Sequence, residues 1–263
     1  MPEGHLVHRH ARELAARLGT GPVRASSPQG RFSEGAAAID GRALAGAEAF
    51  GKHLFLGFDG GDAAVVHVHL GRQGLWLWSD TASSPRPSVR LRLVAGHAAA
   101  DLIAPLICEV GDQQLRDTVV STLGPDPLRD DADGGAVRGA IRGSGQAIGA
   151  VLLDQSAVSG IGNVLRAELL NMVGVYPTIA GAELGDGVLD ELWSTTGAVM
   201  RRARDEGRII TRRPPGVPVE TLDELEGRFV YGRERCGRCG SPLDRLEVAG
   251  RAIHACPVCQ PRP

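Results

Sequence analysis

The stretch HLFLGFDGGDAAVVHVHLG, residues 53–71, decides the class of fold in the first half of the chain. It contains two runs of apolar or alternating residues, each of strand length, with Gly and Asp between them, a pattern typical of β-strands. Similar runs follow at LWLW, residues 75–78, and VRLRLV, residues 89–94. Parallel β-α-β units are not apparent. The pattern therefore predicts an antiparallel β-sandwich or barrel over about residues 23–123.

Helical periodicity lies on both sides of this β region. Before it, Val7, Ala11, Leu14 and Leu18 recur at intervals of four, three and four, which predicts a leading amphipathic helix. A turn-rich segment, LGPDPLRDDADGG, follows the β region at residues 123–135. Beyond this segment, the spacing of the apolar residues is helical and predicts helices over 137–142, 147–155, 163–173 and 189–206. The chain is thus predicted to be an α+β protein.

Composition excludes several classes of protein. The chain has 263 residues, 43% hydrophobic and 23% charged, so wholesale disorder is unexpected. It has no apolar run long enough to span a bilayer and no secretory signal, so we expect a cytoplasmic protein without membrane contact. A net charge of −2 argues mildly against nucleic-acid binding. Residues 200–263, however, carry 13 Arg against 9 acidic residues, which leaves a basic C-terminal face open.

Four of the five cysteines form two CxxC pairs, Cys236 with Cys239 and Cys256 with Cys259. This spacing predicts one tetrahedral zinc ion held by four thiolates in a ribbon-like β-hairpin. Redox CxxC motifs usually occur singly, and disulfides are unexpected without a secretory signal. Structural zinc recurs in many proteins, so it does not identify the function. Cys108 is expected to be a core thiol.

Lys52 is the only lysine among 29 basic residues. GC-rich coding, which replaces lysine by arginine, would explain the excess of arginine. The single retained lysine nevertheless indicates a chemical role at this position, because lysine can lose its proton and arginine effectively cannot.

The N-terminus, MPEGH, has two interpretations. Pro2 and Glu3 could belong to a frayed terminus of no consequence. Alternatively, removal of Met1 would leave the secondary amine of Pro2 beside a carboxylate, and these two groups could take part directly in a reaction. The terminal residues alone do not decide between these interpretations.

Five motifs in order along the chain resemble the formamidopyrimidine-DNA glycosylase/endonuclease VIII family of base-excision repair enzymes. They are the MPEG start, GKHLF, SGIGNVLRAELL, VYGR and GRAIHACPVCQ, and together they span nearly the whole chain. The resemblance implies a β-sandwich catalytic domain over 1–125, a helix–two-turn–helix DNA-binding domain over 126–228 and a zinc finger over 229–263. GKHLF and the short connector before VYGR resemble the endonuclease VIII branch more closely.

The resemblance also implies catalytic roles. Pro2 would attack the sugar of the damaged nucleotide and form a Schiff base, and Glu3 would transfer protons. This favours the second interpretation of the N-terminus. Lys52 matches the family lysine that donates a proton during β-elimination and contacts phosphate. Arg251 matches the zinc-finger arginine that binds phosphate and assists δ-elimination, although an arginine at a hairpin turn is more often ordinary surface.

Two further motifs concern DNA binding. Asn163 matches the family asparagine that contacts phosphate, and it could equally be an N-cap, since both roles are compatible at a helix start. The segment HLGRQG, residues 69–74, carries Arg72 and Gln73 where the family usually has an apolar or aromatic wedge that fills the space of the extruded base. Arginine can stack on bases, which would preserve the function. The polar pair otherwise predicts weaker activity on duplex DNA or a preference for single strands.

Three hypotheses follow. The first is a bifunctional glycosylase and lyase acting on oxidised bases, with pyrimidines expected, as a monomer on the DNA of a bacterial nucleoid. The second is a catalytically weak paralogue that binds lesions or abasic DNA, an option that Arg72 and Gln73 keep open. The third is a zinc-ribbon interaction protein, which would leave the N-terminal motif unexplained.

Overall fold

The structure is a computed structural model and describes residues 2–60, 64–81 and 83–263. It divides into two compact units, the first ending at Thr122 and the second spanning Leu123–Pro263. In the first unit the strands are β1 Arg24–Ser26, β2 Leu44–Phe50, β3 His53–Phe58, β4 Ala64–His69, β5 Leu75–Asp80, β6 Val89–Ala95, β7 Ala98–Ile103 and β8 Ile107–Gly111. Its helices are α1 Gly4–Leu18, α2 Ser33–Ile39 and α3 Gln113–Val120.

The eight strands form two four-stranded antiparallel sheets, which confirms the predicted β-sandwich. One sheet has the order β1-β6-β7-β5 and the other β2-β3-β4-β8. Alternate residues of the strands fill the core between helices and sheets, among them Leu54, Leu56, Leu91, Leu93 and Leu102, each at most 1% exposed. Full burial of one leucine side chain contributes about 1.5–3 kcal/mol to the free energy of folding, so these leucines stabilise the first unit strongly.

The predicted leading helix is confirmed. Helix α1 buries Val7, Ala11, Leu14 and Leu18 and packs against strands of both sheets. Its last turn ends at Gly19, whose φ of 64° lies in the left-handed region that glycine adopts without strain.

The second unit contains four α-helices within its described residues and one β-hairpin. The helices are α4 Gly134–Arg142, α5 Ile148–Val151, α6 Asn163–Met172 and α7 Asp186–Glu206, and the hairpin strands are β9 Asp244–Val248 and β10 Arg251–Ala255. Asp133 caps α4 by accepting a hydrogen bond from the main-chain N–H of Gly135 at 2.8 Å. No helix in the described part of the chain is both long and apolar enough to cross a membrane.

The predicted helix over 147–155 is wrong in its second half, because α5 ends at Val151. Asp154 accepts hydrogen bonds from the main chain and the hydroxyl of Ser156, which favours a turn over continued helix. Gln155 then donates to the carbonyl of Ile161 at 3.1 Å and accepts from the N–H of Gly160. These side chains fix the turns that separate α5 from α6.

The hairpin of β9 and β10 has the predicted turn near Gly250. Val248 pairs with Arg251, so the loop consists of Ala249 and Gly250 alone. Both residues have positive φ, 54° and 67°, as a type I′ turn requires. Strand β10 packs against α6 within the second unit.

Candidate active site

Pro2 and Glu3 lie directly before α1. The main-chain carbonyl of Glu3 accepts hydrogen bonds from the N–H groups of Leu6 and Val7, so the chain enters the helix at this residue. Glu3 is only 1% exposed, and its side chain does not cap the helix. A half-buried proline therefore stands beside a buried carboxyl group, an arrangement unlike a frayed terminus.

Lys52 occupies the two-residue turn between β2 and β3. Phe50 pairs with His53, which leaves Gly51 and Lys52 as the loop. Gly51 has a φ of 56°, the left-handed backbone that such a tight turn needs. The turn fixes the main chain of Lys52 at one end of the sheet.

A chain of polar side chains runs across the same sheet, next to Lys52. His53 Nδ1 lies 2.8 Å from His67 Nε2, and His67 Nδ1 lies 2.8 Å from Glu109 Oε1. The ring of Phe55 stacks on His67. With neutral imidazoles, only one proton arrangement satisfies both bonds: His53 donates to His67, and His67 donates to the carboxylate. Nε2 of His53 is then an acceptor.

The pKa values of two histidines here shift downward. Burial, His69, His67 and Lys52 together lower the pKa of His53 to about 3. Burial and the charge of Lys52 also lower the pKa of His69, whose Nδ1 accepts from the N–H of Gly71 at 3.0 Å. Both imidazoles are therefore neutral at physiological pH. We did not anticipate this network, although the alternation of His67 and His69 along one strand was a usable signal.

Arg72 and Gln73 are exposed in the connection between β4 and β5. The N–H of Gly74 donates to the carbonyl of Leu70 at 2.9 Å, and a Cβ on Gly74 would lie 2.3 Å from that same oxygen. Only glycine therefore fits at the end of this turn. The two polar side chains are carried on a tight loop.

Asn163 and Arg251 lie near each other in the second unit. Asn163 is the first residue of α6, and its Nδ2 donates to the main-chain oxygen of Ala252 at 3.1 Å. Its side chain does not accept from its own helix, as an N-cap would, because Gly162 holds the cap position. Arg251 is exposed and begins β10, directly after the turn.

Arg166 joins these elements and was missed in the sequence. Its side chain is fully buried. Nη1 donates to the carbonyls of Gly149 at 2.8 Å and Val248 at 3.1 Å, while Nη2 donates to Arg251 at 3.2 Å. One guanidinium therefore ties α5 and both hairpin strands to α6.

Glu168 is a second buried charge that we did not anticipate. Its carboxylate accepts from the N–H groups of Phe229, Val230 and Tyr231 at 2.7–2.9 Å, and from the hydroxyl of Thr211. These bonds hold the segment that leads into the cysteine cluster. A charged residue in a helix is usually expected at the surface. The sequence pattern therefore did not indicate that Arg166 and Glu168 are buried.

The four predicted ligand cysteines come together. Cys236 Sγ lies 3.9 Å from Cys259 Sγ, Cys239 Sγ lies 3.5 Å from Cys256 Sγ, and all four sulfurs lie within 4.8 Å of one another. Bonds of about 2.3 Å to a tetrahedral zinc ion imply sulfur separations of about 3.8 Å, so the geometry fits such an ion.

Cys108 lies outside this cluster, on β8. It is partly buried against the sandwich core. Burial raises the pKa of its thiol to about 12, so it stays protonated and unreactive at neutral pH.

Both units match known protein domains. Residues 1–102 match the sequence model of the formamidopyrimidine-DNA glycosylase N-terminal domain, and residues 123–214 match that of the formamidopyrimidine-DNA glycosylase H2TH domain. The protein named endonuclease 8 1 of Mycobacterium tuberculosis is 41% identical, over 99% of this chain and all of that protein. The formamidopyrimidine-DNA glycosylase of Nocardia farcinica is 32% identical over the whole chain and 98% of its own length.

Solved structures agree with these matches. The Lactococcus lactis Fpg protein in complex with DNA containing an abasic site is 25% identical, with a TM-score of 0.80, over 99% of this chain and all of that one. The same protein bound to DNA with an N7-benzyl-Fapy-dG lesion gives the same values. With both domains matched and a relative 41% identical along its length, this chain belongs to the formamidopyrimidine-DNA glycosylase/endonuclease VIII family of DNA-repair glycosylases.

Proposed function

We propose that this protein is a bifunctional DNA glycosylase and abasic-site lyase that removes oxidised bases, pyrimidines above all, and cleaves the strand by β,δ-elimination. Its segments 1–125, 126–228 and 229–263 would serve as catalytic, DNA-binding and zinc-finger domains. It would act as a monomer on nucleoid DNA in a bacterial cytoplasm. The observation that carries the proposal is the placement of Pro2 beside the buried carboxyl group of Glu3.

The chemistry begins with the terminal amine. After Met1 is removed, Pro2 has a secondary α-amine with a pKa of about 8, so an appreciable fraction is unprotonated at neutral pH. Its lone pair attacks C1′ of the damaged nucleotide while the C1′–N bond to the base breaks, and the departing base takes a proton. The amine loses its own proton, and the C1′–O4′ bond of the sugar then breaks as O4′ takes up a proton, which leaves a cationic iminium on the secondary amine. This electron sink permits loss of the 3′-phosphate and then of the 5′-phosphate.

Glu3 and Lys52 would move protons in these steps. Glu3 lies beside the nucleophile and is buried, so its carboxyl group is suited to proton transfer during base loss and opening of the sugar ring. Lys52 has its main chain fixed by the hairpin turn and neutral histidines next to it. Neutral neighbours do not compete for a phosphate, so the ammonium can contact DNA and donate a proton in β-elimination.

Asn163 and Arg251 would bind the DNA backbone in the second unit. The side-chain amide of Asn163 has a second N–H beyond the one given to Ala252, and Arg251 is exposed at a turn. We propose that both bind phosphate and that Arg251 assists δ-elimination. One zinc ion held by Cys236, Cys239, Cys256 and Cys259 would stabilise the hairpin that carries Arg251.

The test is single-turnover excision from oligonucleotides containing an oxidised pyrimidine or an oxidised purine, with analysis of the strand ends. We expect faster release of the pyrimidine and phosphate at both ends of the gap. A second candidate, a lesion-binding paralogue with weak chemistry, is favoured only by the polar residues Arg72 and Gln73. It would instead bind abasic DNA without excision on either substrate.

A further inference from the structure

Glu109, His67 and His53 form a hydrogen-bonded chain across three neighbouring strands, β8, β4 and β3. All three side chains lie on the face of this sheet that points away from the sandwich core, because side chains alternate along a strand and the residues next to them pack into that core. These core neighbours are Leu54, Val66, Val68, Cys108 and Val110. His67 is only 1% exposed, whereas the side chain of Glu109 at the sheet edge is 49% exposed. The chain therefore leads from solvent at one edge of the sheet to the turn that contains Lys52.

The carboxylate sets the direction of both hydrogen bonds in this chain. An ionised carboxylate accepts hydrogen bonds and has none to donate. Nδ1 of His67 must therefore donate to Glu109, which leaves Nε2 of a neutral His67 to accept from Nδ1 of His53. Nε2 of His53 then carries a lone pair and no proton. Glu109 thus specifies, through His67, that His53 presents a hydrogen-bond acceptor.

His69 is held in the opposite tautomer. Its Nδ1 accepts from the main-chain N–H of Gly71 at 3.0 Å, so a neutral His69 carries its proton on Nε2. His53 and His69 pair directly across β3 and β4, and their ring centroids lie 4.8 Å apart. One ring of this pair therefore presents an acceptor and the other presents a donor. An ammonium group, which only donates, can hydrogen-bond to Nε2 of His53 but not to Nε2 of His69.

The ammonium of Lys52 lies near both rings. Lys52 directly precedes His53 in the two-residue turn before β3. Burial is the main cause that lowers the pKa of His53 and of His69, and the charge of Lys52 contributes to both shifts. A neutral nitrogen can orient this ammonium and leave its positive charge intact, whereas a carboxylate in the same place would offset that charge. The charge of Glu109 stays about 10 Å from β3, at two strand spacings of about 4.8 Å.

We propose that His53 is a positioning residue for Lys52: its Nε2 accepts a hydrogen bond from the ammonium, and His67 and Glu109 keep His53 in the tautomer that can do so. This inference rests on the proposed function, in which Lys52 contacts phosphate and donates a proton in β-elimination. The chain gives Lys52 the accepting property of a carboxylate but keeps the negative charge at a distance, where it does not compete with phosphate for the ammonium.

The experiment cuts the chain at His67 and follows two chemical steps separately. His67→Phe keeps a ring against Phe55 but removes both hydrogen bonds. On DNA with a preformed abasic site, borohydride trapping measures the Schiff base, and strand cleavage without borohydride measures β-elimination. Nitrogen NMR of labelled histidine reports which nitrogen of His53 is protonated. His97→Gln and Glu191→Gln, at exposed positions, are the controls for loss of an imidazole and of a carboxylate.

Wild-type His53 should carry its proton on Nδ1, and His67→Phe should abolish this preference. β-Elimination by His67→Phe should fall about tenfold, the effect expected from the loss of one hydrogen bond to a charged group, while the rate of Schiff-base formation is retained. In a Lys52→Ala background, His67→Phe should cause no further loss, since the chain acts through Lys52. Glu109→Gln should show a smaller loss of the same kind, because an amide can donate as well as accept and no longer fixes the tautomer. Both controls should match the wild type.

Equal β-elimination by His67→Phe, Glu109→Gln and the wild type would overturn the assignment, as would equal losses of trapping and cleavage, or a further loss in the Lys52→Ala background. A wild-type His53 protonated on Nε2 would also overturn it. Each of these results would leave the proposed function intact. If His67→Phe does not fold, Glu109→Gln at its half-exposed position decides by the same readouts. A wild-type protein that gives neither trapped adduct nor strand cleavage would overturn both the assignment and the proposed function.

Discussion

The guanidinium of Arg166 donates to the main-chain carbonyl of Arg251 at 3.2 Å, so one buried arginine positions the backbone of another that is exposed. The bond uses only the main chain of Arg251 and leaves its side chain at the surface. The same guanidinium also donates to Gly149 and Val248. Arg166 thus stabilises the fold, whereas the side chain of Arg251 is left for the proposed DNA contact. Each role can be tested by replacing one residue alone.

Replacing Arg166 should destabilise the second unit. In Arg166→Met the carbonyls of Gly149, Val248 and Arg251 lose a charged donor, and such bonds contribute about 1.5–3 kcal/mol each. We expect a loss of about 3 kcal/mol or more in the free energy of unfolding, measured by urea denaturation. Arg202→Lys, at an exposed position of α7, is the control. If Arg166→Met were as stable as this control, the guanidinium would not join these elements.

Replacing Arg251 should affect DNA binding but not folding. Arg251→Ala keeps the carbonyl that Arg166 binds, so its unfolding curve should match the wild type. If Arg251 neutralises one phosphate, the slope of log affinity against log salt should fall by about 0.9, and the product of δ-elimination should decrease. Arg245→Ala, exposed on the adjacent strand, is the control. An unaltered salt slope in Arg251→Ala would exclude the phosphate contact.

Removal of the metal should unfold the hairpin. Cys256→Ser, or treatment of the wild type with a strong chelator, should release one equivalent of zinc, measured by atomic spectroscopy. Because a small hairpin has almost no core of its own, DNA affinity should be lost while the sandwich of the first unit keeps its structure. Cys108→Ala should retain the full zinc content. Tight DNA binding by metal-free protein would contradict this expectation.

The buried histidines predict a pH dependence of stability. The folded pKa of His53, about 3, lies below the value of about 6.5 in an unfolded chain. The unfolded state therefore takes up a proton first, so stability is complete above about pH 6.5 and declines as the pH falls toward about 3. The lowered pKa of His69 acts in the same direction.

Urea denaturation between about pH 7.5 and about pH 5 measures this effect. His53→Gln removes one of the groups and should flatten the decline. His97→Gln alters an exposed histidine after β6 and should leave the decline as it is in the wild type. An equally steep decline in His53→Gln and the wild type would show that His53 does not remain neutral in the folded protein.

Local patterns in the sequence predicted most of the fold. Apolar alternation predicted the sandwich, and the spacing of the cysteines predicted the cluster, because both signals lie in neighbouring residues. The buried charges of Arg166 and Glu168 were not predictable in this way, since their partners are main-chain groups distant in sequence.

Borohydride trapping on abasic DNA tests the central claim most directly. The wild type with Met1 removed should give a stable covalent adduct, and mass spectrometry of its peptides should locate the DNA on Pro2. Pro2→Gly, and a form that retains Met1, should each give far less adduct, whereas Lys52→Arg should still form it because the nucleophile is intact. Undiminished trapping in Pro2→Gly, with the adduct located on Lys52, would contradict the account.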